Sequence, residues 1–114
     1  MAYNEFLADR IRLALKEKGS AFQEKKMMGG LAFMVDNKMC VGVVKDDLMA
    51  RIDPAAYDEA LKHKGCRAMD LTGRPMKGFV FVSPEGTDMD DDLAGWVQLA
   101  LDFNPRAKAS KKNK

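Results

Sequence analysis

The chain has 114 residues, the size of one ordinary domain. Hydrophobic residues make up 46% and charged residues 32%, a soluble globular balance, and no apolar run approaches the roughly 20 residues that cross a bilayer. A net charge of +2 is too small to call for a polyanionic partner, and the first residues lack the basic and apolar segments of a secretory signal, so the expected location is the cytoplasm.

The first predicted element is a helix over residues 3–18, in which Phe6, Leu7, Ile11, Ala14 and Leu15 recur at helical spacing. Gly19 stops it. Phe22 is expected to pack under a short helical turn through Gln23, Glu24, Lys25 and Lys26. A strand over residues 30–35 follows, apolar on both faces. Asp36-Asn37 is a two-residue turn, because both side chains tolerate positive φ. The return strand spans residues 38–44, with Met39, Val41 and Val43 alternating onto one face. After a turn at Lys45-Asp46-Asp47, a third strand spans 48–52. It sets Leu48, Ala50 and Ile52 against Met49 and Arg51.

Asp53-Pro54 marks a helix start. The aspartate can accept from free first-turn amides, and proline suits the first helical position. Tyr57, Ala60 and Leu61 form the stripe of this helix, and Gly65 closes it. Residues 67–71 and 78–82 read as a second hairpin, joined by Thr72-Gly73-Arg74-Pro75-Met76-Lys77. A last helix over 88–103, capped by Thr87, carries Met89, Leu93, Trp96, Val97, Ala100 and Leu101 at helical spacing. Asn104-Pro105 ends it. The order helix, three strands, helix, two strands, helix gives an α+β two-layer domain on a mostly antiparallel five-stranded sheet. Residues 1–104 form one domain, and 105–114 a basic, disordered tail.

Five segments then fall in a recognisable order: Met28-Gly29-Gly30-Leu31-Ala32-Phe33-Met34, Lys38-Met39-Cys40-Val41-Gly42-Val43, Asp47-Leu48-Met49-Ala50-Arg51-Ile52, Asp70 with Gly73-Arg74-Pro75-Met76-Lys77-Gly78-Phe79-Val80, and Leu93 with Trp96-Val97. Together they resemble the TfoX/Sxy N-terminal domain family, from the first helix to Phe103. The resemblance implies the same element order, in a layout similar to secretion-chaperone folds. It implies no enzymatic activity and no cofactor. The family's named members regulate natural competence in bacteria, working with the cyclic AMP receptor protein at promoters. Full-length members carry a second, helical domain where this chain has its basic tail, and Met28 stands where many relatives have an aromatic residue.

Candidate sites divide by chemistry. Met28, Gly29, Gly30 and Trp96 are structural signatures. The glycine pair lacks the Lys-Ser/Thr of a phosphate loop and reads as a strand entry where a Cβ would clash. The binding candidate is Gly73-Arg74-Pro75-Met76-Lys77, a loop displaying an arginine fork and a lysine point charge beside a rigid proline. Arg51 joins it if the third strand lies nearby. The plain alternative is a turn with solvated charges, or an arginine paired with Asp70 or Asp53. Asp88, Asp90, Asp91 and Asp92 fit helix capping and not an EF-hand, whose sixth and twelfth positions would be Leu93 and Leu99. His63, Cys40 and Cys66 lack zinc spacing and an orienting third group, and read as a surface histidine and two packed, reduced thiols. The tail lysines Lys108, Lys111, Lys112 and Lys114 offer weak contact with nucleic acid and no aromatic for base stacking.

These residues point first to a non-enzymatic interaction domain that meets a protein partner through the sheet face or the Arg74–Lys77 loop. The second reading is a small anionic-ligand module gripping through Arg51, Arg74 and Lys77. Weak, non-specific DNA binding through the tail comes third.

Overall fold

The computed structural model describes residues 3–27, 30–68 and 78–106. Helix α1 (Glu5–Glu17) opens the fold, capped by Asn4, whose side-chain oxygen accepts from the Leu7 amide at 3.0 Å. Asn4 also donates its backbone N–H to the Lys45 carbonyl at 2.6 Å and its side-chain amide to Asp46 at 3.2 Å. One residue thus starts the helix and ties it to a turn of the sheet.

Among the described residues the sheet has six strands: β1 (Gln23–Met27), β2 (Gly30–Val35), β3 (Lys38–Val44), β4 (Asp47–Arg51), β5 (Cys66–Ala68) and β6 (Phe79–Val82). They lie in the order β1-β2-β3-β4-β6-β5, and every neighbouring pair is antiparallel. The α+β two-layer expectation holds, with one strand more than the sequence implied. The extra one is β1, placed where a helical turn was expected. Gln23, Glu24, Lys25 and Lys26 are good helix formers, but the open edge of β2 supplies hydrogen-bond partners that a lone turn lacks. Glu24 stands opposite Phe33, on the helix side, where Arg12 of α1 reaches it, with Nη2 at 2.9 Å from Oε1. Phe22 packs edge-on against Phe33, ring centres 5.7 Å apart.

The β2–β3 turn forms at Asp36 and Asn37, with φ of 55° and 65°, the left-handed pair that suits the strand twist. Register then shifts on β3. Phe33 faces Val41 and Met34 faces Met39, so Cys40 is an extra residue, a β-bulge. The bulge corrects the expected alternation. Cys40, Val41 and Val43 all join the core, while Met39 turns to the opposite face.

Helix α2 (Tyr57–Ala60) is a single turn, preceded by a 3-10 turn at Pro54–Ala56. Asp53 caps the 3-10 turn, accepting from the Ala55 amide at 2.9 Å. Beyond Ala60 the chain tightens, with the Lys62 and His63 amides reaching back to Glu59 and Ala60, and Gly65 reverses it at φ +81°. The second helix is therefore shorter than expected. Helix α3 (Asp90–Phe103) starts two residues later than expected. Met89, not Thr87, holds the cap position, and no side chain caps there. Thr87 is buried in the loop before it, where its carbonyl accepts from Arg10 of α1 at 2.7 Å. Met89, expected in the apolar stripe, is 67% exposed.

Leu7, Ile11 and Leu15 of α1 meet Leu93, Trp96 and Val97 of α3 over one face of the sheet, whose side chains include Leu31, Phe33, Val41 and Val43. The other face carries a second apolar cluster of Ala32, Met39, Met49 and Phe81, with Met34, Val44 and Phe79 against it. No helix among the described residues is long and apolar enough to cross a membrane.

Candidate functional site

Antiparallel pairing puts Arg51, the last residue of β4, directly opposite Phe79, the first residue of β6. The next pair along closes the ladder, with the Ile52 amide donating to the Gly78 carbonyl at 2.7 Å. Gly78 is where residues 69–77 rejoin the sheet. Arg51 therefore stands at the base of the loop to which the sequence assigned binding. Gly73, Arg74, Pro75, Met76 and Lys77 themselves lie outside the described residues, as do Asp70, Met28, Gly29, Met69 and the tail lysines.

Around Arg51 the sheet end and the end of α3 converge. The Arg51 guanidinium lies 5.3 Å from the Phe79 ring centre and 6.0 Å from that of Phe103, and Arg106 lies 5.4 Å from Phe103 on its own account. Aromatic faces attract cations at these separations. Arg51 is half-buried, and desolvation lowers its pKa from the ordinary arginine value. Asp53, a candidate partner for an arginine, pairs with Arg106 at 2.8 Å. Its carboxyl is held below the usual range, first by the Ala55 amide and then by Arg106. What this arrangement offers is a partly desolvated cation on an aromatic bed at a loop's root, chemistry suited to recognition.

The other sequence candidates separate. Gly30 is a strand entry, as expected. A Cβ there would collide with the Val43 carbonyl oxygen and lie 2.8 Å from Val44 Cγ2, so β3 can approach only a glycine. Trp96 is a core residue whose Nε1–H donates to the Gly86 carbonyl at 3.2 Å. His63 packs edge-on against Trp96, ring centres 5.4 Å apart. Burial pushes the Cys40 thiol up to about 12 and the Cys66 thiol up to about 11, which leaves both poor nucleophiles near neutrality. Among the described residues no three or more His, Cys, Asp and Glu side chains gather where they could hold a metal ion. The sheet face opposite α1 and α3, expected to be exposed, keeps Ala32 and Met49 buried, at 0% and 3% exposure.

The structure adds a feature the sequence did not disclose. A cleft of about 580 Å³ opens between α3 and the turn after α2, lined by His63 and Lys64 from the turn and by Asp91, Gly95, Trp96 and Asp102 from α3. These residues come from segments some thirty positions apart, and nothing in their local pattern joins them. The one local signal was Gly95, a glycine at mid-helix.

A family model described as the TfoX N-terminal domain matches residues 14–104. No curated protein and no solved structure matches the chain.

Proposed function

The chain belongs to the TfoX N-terminal domain family, and from that premise we propose that it is a non-enzymatic interaction domain that binds a protein partner. Family membership carries this reading, and the chemistry of the described residues supports it. Full burial of Cys40 and partial burial of Cys66 hold both thiols high in pKa, and the histidine packs on a tryptophan. The contact surface is the Arg74–Lys77 loop, rooted at Arg51 and its aromatic bed. Regulation of transcription, the role of the family's named members, is the setting in which such a partner would be met. Affinity capture with cross-linking from the chain's own cells tests this. The intact chain should recover a defined partner, and Arg74→Ala with Lys77→Ala should lose it. Recovery of no partner by the intact chain would overturn the reading.

One observation favours a second reading, a small anionic-ligand module. A half-buried guanidinium at the root of a basic loop gains from a planar anion such as carboxylate or phosphate. Thermal-shift measurements against nucleotides and phosphorylated metabolites decide it. A ligand at ~100 times its dissociation constant adds about 2.7 kcal/mol; no shift with any anion removes this reading.

A further inference from the structure

Two residues of α3 work against the helix they belong to, and both line the cleft beside it. Gly95 lies at mid-helix, where glycine is among the least favourable residues. The fold does not require it, since a Cβ built there meets no atom within 4 Å. Asp102 lies in the last turn, where the negative end of the helix dipole disfavours a carboxylate. A hydrogen bond from Gln98 at 2.8 Å offsets part of that penalty. Local rules broken without a packing reason concentrate where a surface does work.

The charge of the cleft indicates what fills it. Glu85, Asp91, Asp92 and Asp102 line it, against Lys64 as the one lysine or arginine in the described lining. The first-turn position accounts for Asp91 and Asp92 in α3 and for Glu85 in the 3-10 turn at Pro84–Gly86, but not for Asp102. Among the described residues no ion pair engages any of the four. Between the carboxylates lie Leu99, Trp96 and the bare backbone of Gly95. An apolar floor with carboxylates at its rim matches a side chain with an aliphatic stem and a cationic head. The volume, about 580 Å³, falls within the ~300–1,000 Å³ of ligand clefts.

We propose that this cleft binds a lysine- or arginine-bearing segment of a partner protein, with the segment's stem over Gly95 and Leu99 and its cationic head among Asp91, Asp92 and Asp102. The missing side chain at Gly95 lets the segment approach the helix backbone. This site shares no described residue with the surroundings of Arg51, and it shares with the proposed function only the premise that the partner is a protein. Direct peptide binding and partner capture are separate readouts, so either can fail alone.

Trp96 is the chain's one tryptophan and lines the cleft, so its emission responds to what occupies the cleft. Titrating acetyl-tetra-arginine amide into the full chain at low salt should change that emission and saturate. Gly95→Leu fills the cleft without altering a charge and should weaken binding at least about ten-fold, while Asp102→Asn should weaken it about three-fold or more. Circular dichroism shows which variants are folded; if Gly95→Leu is not, Asp102→Asn alone decides. Unchanged affinity in a folded variant, or no saturable binding to the parent chain, overturns the proposal, because only diffuse attraction to acidic surface would then remain.

Discussion

Gly30 and Gly95 are the same residue type with opposite reasons for being there. At Gly30 a methyl group would strike the Val43 carbonyl and Val44. Gly30→Ala should lower stability by about 1–3 kcal/mol, the usual penalty for overpacking, seen as a lower denaturation midpoint with unchanged slope. At Gly95 the space is open, so Gly95→Ala should raise stability by roughly 0.5–1 kcal/mol through helix propensity alone. A loss of stability there would contradict the account of the cleft wall. Glu24 gives the pH dependence. Its hydrogen bond from Arg12 holds the carboxyl below its ordinary value of 4.5. A folded-state pKa below the unfolded one means stability that is present above about pH 4.5 and lost as pH falls through the folded value. Both side chains are about a third exposed, 32% and 33%, which keeps the pair near 0.5–1 kcal/mol. Glu24→Gln should melt below the parent chain at neutral pH, and the difference should vanish at about pH 2.

At the scale of elements, β1 is a sheet edge guarded by charge. Lys25 pairs with Ala32 on the face away from α1 and α3 and Lys26 with Leu31 on the helix side, so ammonium groups flank the hydrogen-bonding row that no described strand pairs. Lys25→Ile with Lys26→Val should leave the fold intact but promote self-association, which sedimentation velocity would reveal. A strictly monomeric variant would show that the edge is protected by something else. β1 also marks where sequence reading stopped. The Asp36-Asn37 hairpin was legible because its turn depends on two adjacent residues, and α1 because its stripe repeats locally. β1 was not, because its residues prefer helix and only the neighbouring strand makes them extended. The bulge at Cys40 escaped for a related reason, since register depends on the partner strand. It reversed the facing of Met39 relative to Val41 without a glycine or proline to mark it.

At the scale of the molecule, the sheet order explains why the candidate site was half legible. Arg51 and the Arg74–Lys77 loop are distant in sequence and could be joined only on the condition that the strands were neighbours. Insertion of β6 between β4 and β5 meets that condition at the loop's base. Arg106 and Phe103 were read as tail and helix end, and their place around Arg51 follows from how α3 crosses the sheet. The acidic cleft needed the third dimension altogether, since it is assembled from the turn after α2, the loop before α3 and the exposed side of α3. The cleft carries four carboxylates against one lysine, whereas Arg51 and Arg106 gather around Phe103 at the sheet end, and complementary charge of this kind governs the orientation of a bound partner. Whether this domain works by holding a partner protein is tested by cross-linking with affinity capture in the chain's own cells. The intact chain should recover one defined partner, and the Arg74→Ala, Lys77→Ala variant should not. Recovery of no partner by the intact chain, or of the same partner equally by both, would contradict it.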